Sequence, residues 1–195
     1  MTKAARTKQL IIDKTAPLFN SKGIAGTSLS EILVATKLAK GSLYVHFENK
    51  EAIAHAVVDY YVEKKRGFLD ATLNGAGSAK EQLFSYMDLV LHPVNSLFVG
   101  GCPFLNFGME CDDTDQIIRQ KVNTIVATVQ QRLAETIKNG IKTGEFDANW
   151  DPELTALKFF AMVQGAVMIS RVSGDKSTIK LISQLLKDEV NRHST

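Results

Sequence analysis

Residues 27–50 read Thr27-Ser28-Leu29-Ser30-Glu31-Ile32-Leu33-Val34-Ala35-Thr36-Lys37-Leu38-Ala39-Lys40-Gly41-Ser42-Leu43-Tyr44-Val45-His46-Phe47-Glu48-Asn49-Lys50. Their spacing is that of a helix, a tight turn and a second helix. Ser28 to Glu31 has the form of a capping box, with Ser28 closing the helix N-terminus and Glu31 reaching back. That helix ends near Thr36. Lys37 and Leu38 make the turn, and a third helix covers about Ala39 to His46. Leu29, Ile32, Leu33, Leu38, Leu43 and Phe47 are placed to lock both short helices against a preceding one. The second short helix exposes Lys40, Ser42, Tyr44 and His46, each able to donate a hydrogen bond to a phosphate or a base edge. Gly41 permits close backbone approach, and such a unit can place its second helix in a major groove. An ordinary helical hairpin with polar residues facing water has the same spacing, so spacing alone leaves both readings open.

Helical periodicity continues in both directions, and strand-like alternation is almost absent. A first helix is expected from about Arg6 to Lys22, with Leu10, Ile11, Leu18 and Phe19 inward, a kink at Pro17 and Gly23 as its stop. Asn49 caps a fourth helix from Lys50 to about Leu73, with Ile53, Val57, Tyr60 and Tyr61 on its inner side. The clearest break is Asn74-Gly75-Ala76-Gly77-Ser78, after which a helix runs from Ser78 until Pro93 stops it. Gly100-Gly101-Cys102-Pro103 is another break, with Pro103 suited to the first turn of a helix. A long helix spans about Thr114 to Asn139. Asp151-Pro152 opens a helix to about Ser173 that is apolar nearly all round, and a last amphipathic helix carries Ile179, Ile182, Leu186 and Val190. The fold class is all-α.

The chain has 195 residues, 45% of them hydrophobic and 23% charged. That suits one ordinary domain, or a small domain leaning on a larger one, and excludes wholesale disorder. With no run of about 18 uncharged apolar residues, no helix is expected to span a membrane. The basic start Met1 to Arg6 lacks the long apolar stretch of a signal peptide. Two cysteines make no disulfide scaffold, so a reducing, cytoplasmic home is expected. Net charge is only +2, yet residues 1–50 carry eight Lys or Arg against three acids, which leaves −3 for the other 145. A basic block on a mildly acidic body is a footprint of nucleic-acid binding, although uneven solvated charge alone would look the same.

Catalytic signatures are lacking. There is no Walker-type phosphate loop, dinucleotide fingerprint or His-Glu-x-x-His pair, and His46, His55, His92 and His193 are scattered. No Ser stands in a nucleophile elbow. The expectation is no enzyme, no cofactor and no metal.

Lys40-Gly41-Ser42-Leu43-Tyr44-Val45-His46-Phe47 followed by Asn49-Lys50-Glu51, with Thr27-Ser28 upstream, resembles the N-terminal signature of TetR-family transcriptional repressors. The resemblance covers about residues 6–55. It implies a three-helix helix-turn-helix DNA-binding domain over residues 1–50, a connecting helix over 51–74, and a larger helical domain over 75–195 for effector binding and dimerisation. Lys37 and Ala39 stand where the family commonly has Gly and a hydroxyl cap. Losing that cap costs roughly 0.5–2 kcal/mol, and a non-Gly turn residue must adopt an uncommon backbone conformation.

By the same resemblance, Thr27 and Ser28 suit a phosphate at a helix N-terminus, and Lys37, Lys40 and Ser42 suit base edges near Ala39 and Gly41. Tyr44, His46 and Lys50 hold backbone phosphates, and Val45 touches a thymine methyl. The implied partners are a double-stranded palindromic operator, a second copy of the chain in a homodimer, and a small-molecule effector; no membrane is expected. The last two helices would pair the subunits, and Phe104, Phe107, Met109, Phe160 and Gln164 would line the effector site, although an aromatic and Met stripe is also what a plain core looks like.

The segment from Gly100 to Cys111 is similar to one in a TetR subgroup that includes electrophile or oxidant sensors. Cys102 before Pro103 is therefore a candidate redox thiol, and a helix N-terminus lowers a thiol's pKa. A buried structural thiol is the plainer reading of the same residue. Cys111 lies nine residues on, about 13 Å of helical rise, too far for a disulfide along a straight helix. Two rival functions stay open on the residues alone: a DNA-binding protein without small-molecule input, and a small helical enzyme acting through Cys102.

Overall fold

The computed structural model describes residues 2–75, 77–91 and 100–195. Among them are nine α-helices: α1 (Lys3–Lys22), α2 (Leu29–Thr36), α3 (Lys40–His46), α4 (Lys50–Leu73), α5 (Ala79–Leu91), α6 (Pro103–Cys111), α7 (Gln116–Lys142), α8 (Pro152–Ser173) and α9 (Ser177–Arg192). The chain is all-α, as its periodicity demands. The stop expected at Pro93 lies outside the described residues.

Local chemistry sets most of the boundaries. The side chain of Thr2 accepts from the Ala5 amide, so α1 starts at Lys3 rather than at Arg6. Gly23 ends it at φ 81°, a conformation that suits glycine. Asn49 caps α4 by accepting from the Ala52 amide at 2.7 Å. Asp115 accepts from the Ile117 and Ile118 amides at the head of α7, and Asp151 caps α8 just before Pro152.

The packing forms two compact units. One holds Met1–Lys64 and Leu97–Asn123, the other Lys65–Ser96 and Thr124–Thr195. In this grouping α6 and the first turns of α7, which follow α4 and α5 in the chain, pack with the N-terminal helices. The physical reason is that α1 packs against α6 as well as against α2 and α3.

In the first unit Ile11, Ile12, Ala16 and Phe19 of α1 are buried, with Ile32, Leu43 and Phe47 from the two short helices and their flank. Each large apolar side chain among them contributes about 1.5–3 kcal/mol through burial. Leu10, expected inward, is exposed. The buried stripe of α1 runs through residues 11, 12, 15, 16, 19 and 20, and Leu10 stands one position off it.

In the second unit Leu69, Leu83, Met87, Leu133, Phe159 and Leu186 anchor one core, with α9 packed on α8 and α5. Helix α8 buries only Thr155, Ala156, Phe159, Val163, Ala166 and Ser170. Leu154, Leu157, Met168, Ile169 and Val172 lie exposed on it, as do Leu181 and Leu185 on α9. By length and composition alone α8 is apolar enough to cross a membrane, contrary to the expectation from the sequence. Its buried side packs on α9 as a core helix does, and Lys158 pairs with Glu189 across the two.

Candidate nucleic-acid interface

The helix-turn-helix begins with the capping box read from the sequence. Ser28 Oγ accepts from the Glu31 amide at 3.2 Å, and Glu31 Oε2 accepts from the Ser28 amide at 2.8 Å. Lys22 pairs with the same carboxylate. Its hydrogen bond, followed by those from Ser28, holds the Glu31 carboxyl down at about 2.

Lys37 ends α2 at φ 57°, ψ 29°, and it is the one non-glycine residue at positive φ among the described residues. Ala39 stands at the N-cap of α3 without a side-chain cap bond. Both departures from the usual motif are therefore tolerated in the backbone. Leu43 and Phe47 are buried and seat α3 from below, with Lys8 Nζ 5.2 Å from the Phe47 ring centroid.

The opposite side of α3 is open. Lys37, Ala39, Lys40, Gly41, Tyr44 and Val45 are exposed, and Ser42 and His46 are half-buried. Val45 is 81% exposed, and so is Val34 on α2 at 78%. A Cβ added at Gly41 would meet nothing within 4 Å, so a partner could come close there. Ser28 is also exposed.

Two of the residues expected at the DNA are engaged within the turn itself. Thr27 is fully buried and its hydroxyl donates to Gly23 O at 2.7 Å, which braces the turn. Lys50 directs its ammonium to Ile24 O at 2.9 Å and Thr27 O at 3.2 Å. Both carbonyls belong to the turn that leads into α2, and the ammonium has a third N–H to donate.

Further residues of the unit tie α6 and α7 to this reader. Glu110 Oε2 accepts from the Ile24 amide at 2.9 Å and its Oε1 from the Ala25 amide at 2.8 Å. Asn106 Nδ2 donates to Asn20 O at 2.9 Å, and Asn20 Nδ2 donates to Gly101 O at 3.0 Å. His55 Nε2 meets Asp115 Oδ2 at 2.7 Å, and Lys121 pairs with Asp59. Burial alone would raise the Asp115 carboxyl, but hydrogen bonds from the Ile118 amide and His55 outweigh it and hold it below its ordinary value. Sequence reading missed Asn20, Asn106 and Glu110 because their partners lie more than 80 positions away.

The residues expected at an effector site fall into different surroundings. Phe104 and Phe107 are buried in the first unit, Phe107 with its ring 5.9 Å from that of Tyr61. Met109 is 70% exposed. It lies on the outward side of α6, opposite the stripe through Phe104, Phe107 and Cys111. Phe160 and Gln164 belong to the second unit and are half-buried. Cys102 N-caps α6 and Cys111 ends it, both buried and neither in a disulfide. Burial, then the neighbouring Glu110, Asp115 and Asp112 charges, push the Cys111 thiol up to about 11, far from a reactive thiolate. Among the described residues no His, Cys, Asp or Glu cluster could hold a metal.

The model of bacterial regulatory proteins of the tetR family matches residues 11–57, and the tetracyclin repressor-like C-terminal domain matches residues 79–186. This chain belongs to the TetR family. It is 38% identical to a TetR-family transcriptional regulator from Cytophaga hutchinsonii of known crystal structure, covering 100% of this chain and 98% of that one with a TM-score of 0.91. An uncharacterized HTH-type transcriptional regulator of Lactococcus lactis is 27% identical over 93% of this chain and 91% of its own length. The HTH-type transcriptional repressor DhaR of a Mycobacterium species is 25% identical over 90% of this chain and 88% of its own. The protein is a DNA-binding transcriptional regulator with a helix-turn-helix reader and a helical C-terminal domain.

Proposed function

We propose that this TetR-family regulator is a repressor that binds a palindromic operator as a homodimer and is released by a small-molecule effector. The observation that carries the reading is the outward face of α3. Lys40, Gly41, Tyr44 and Val45 stand exposed on a helix seated by buried Leu43 and Phe47. Lys37, Lys40 and Ser42 address base edges, Val45 a thymine methyl, and Ser28, Tyr44 and His46 the phosphates, while Ala39 and Gly41 let the backbone come close. One such helix reads few base pairs, so two copies on two half-sites supply the specificity.

The unpartnered apolar faces of α8 and α9 support pairing with a second copy, and nothing lies within 4 Å of a Cβ added at Gly165, which leaves room for a close helix approach. An effector site in the C-terminal part is supported by Gln164, whose Oε1 is buried without a hydrogen-bond partner among the described residues, beside half-buried Phe160. Its binding shifts the population away from the operator-bound pose, through α4, which runs between reader and body. The protein acts in the cytoplasm, where its operator is.

Selection of a duplex from a random-sequence library by the wild-type protein tests the operator. The selected site should be palindromic, and Lys40→Ala should weaken binding to it by about 1–3 kcal/mol. Wild-type affinity in that variant would remove Lys40 from the reading face.

A further inference from the structure

Helices α2 and α3 have 8 and 7 residues, too few to hold a helical pose unaided. Their placement depends on α1 and on the turn at residues 23–28 that leads into them. That turn is gripped from two sides. Lys50 of α4 holds its carbonyls, at Ile24 and Thr27. Glu110 of α6 holds its amides, one carboxylate oxygen on Ile24 and the other on Ala25. We propose that Glu110 is a positioning residue for operator reading: its carboxylate sets the pose of α2 and α3, so α6 acts on the reader directly.

Three observations bear on this. A carboxylate accepting two peptide N–H groups is a charge-assisted, two-point contact that fixes orientation as well as distance. Glycine makes room for it, because a Cβ at Gly23 would stand 3.0 Å from Glu110 Oε2 and 3.1 Å from Oε1. The other end of α6 is fixed to α1 as well. Asn106 Nδ2 lies 2.9 Å from Asn20 O, from Asn20 Oδ1 and from Gly100 O. A Cβ at Gly100 would come within 2.7 Å of Asn20 O, so the loop entering α6 lies directly against the end of α1. Helix α6 is thus anchored at both ends to the segment that presents the reading helix. Any displacement of α6 is felt at Ile24 and Ala25 without passing along α4.

The inference rests on operator binding as proposed above. Coulomb's law supplies the discriminating sign: removing an acid from a basic reader should strengthen DNA binding, whereas losing a clasp should weaken specific binding. The test uses the full chain, a duplex selected by the wild-type protein from a random library, and a scrambled duplex of equal length. Glu110→Gln keeps the shape but turns an NH2 toward an amide donor. It should bind the selected duplex about tenfold more weakly, the scale of one lost charge-assisted hydrogen bond, and the scrambled duplex no less well. Asp113→Asn makes the same charge change on an exposed neighbour and should weaken neither. Amide hydrogen exchange at Ile24 and Ala25 should quicken in Glu110→Gln and stay unchanged in Asp113→Asn. Wild-type affinity of Glu110→Gln for the selected duplex, or unaltered exchange at both amides, overturns the assignment. Should Glu110→Gln fail to fold, Glu110→Asp, with the charge kept and the arm shortened, carries the same expectations and the same overturning results. A wild-type protein that selects no duplex sinks the operator reading instead, and the exchange measurement still decides whether the clasp exists.

Discussion

At Lys37 the chain turns between the two short helices with φ 57° and ψ 29°, a left-handed conformation that costs an L-residue roughly 1–2 kcal/mol. The lysine is exposed, so burial of its side chain does not offset that strain. Lys37→Gly should raise stability by up to about 1 kcal/mol, since glycine relieves the Cβ clash but loses backbone entropy. Urea unfolding checks the first effect and operator titration the second, where affinity should fall. A variant that gained both stability and affinity would show that Lys37 contributes nothing to DNA binding. Thr27 and Lys50 teach the complementary lesson. Both are polar residues in a DNA-reading motif, and both are turned inward onto carbonyls of one turn.

Helix α8 shows how an element's composition can mislead about its surroundings. Its apolar residues surround the axis, yet only the stripe through Ala156, Phe159, Val163 and Ala166 is buried in the single chain. Ala161 lies outside that stripe and is exposed. A charge there meets water in the monomer and becomes a buried, unpaired charge only if a second copy covers the face, a penalty of about several kcal/mol. Ala161→Glu is therefore expected to leave helix content and the monomer fold intact while abolishing dimerisation, and operator affinity should fall with it. Sedimentation velocity with circular dichroism separates these outcomes. A folded dimer with wild-type affinity would place the partner elsewhere.

Across the whole molecule, acid sensitivity should trace to a few carboxylates. Asp115 is held below its ordinary pKa, so it binds its proton less readily folded than unfolded. The sign follows from linkage: its contribution is present above the unfolded value, about 3.9, and is lost as pH falls through the lowered folded value. Glu31, ordinarily at 4.5 and held at about 2, acts in the same direction between those values, although its exposure lets salt screen the Lys22 pairing. Asp115→Asn should flatten the fall of stability below about pH 4, measured by thermal unfolding across the acid range up to neutrality. An unchanged slope would mean that the His55–Asp115 pair does not distinguish folded from unfolded protein.

Short-range chemistry made much of this protein legible from its residues. Capping at Ser28 and Asn49, the stop at Gly23, Pro103 and Pro152 at helix starts and the Lys40 to Phe47 signature all act within a turn or two of helix, over which a chain's geometry follows from its order. The all-α class and the reader were open to inspection for that reason. Leu10 shows the limit, since a one-position error in phase turns a core residue into a surface one. Long-range partners had no local signal. Glu110 meets Ile24 and Ala25 across 86 and 85 positions, and nothing in its neighbours marks it as a ligand for two amides. The membership of α6 in the reader's unit, the inward turn of Lys50 and the division of α8 into a buried and an open side were decided by tertiary packing, because each depends on which distant surface arrives to cover or bind the group.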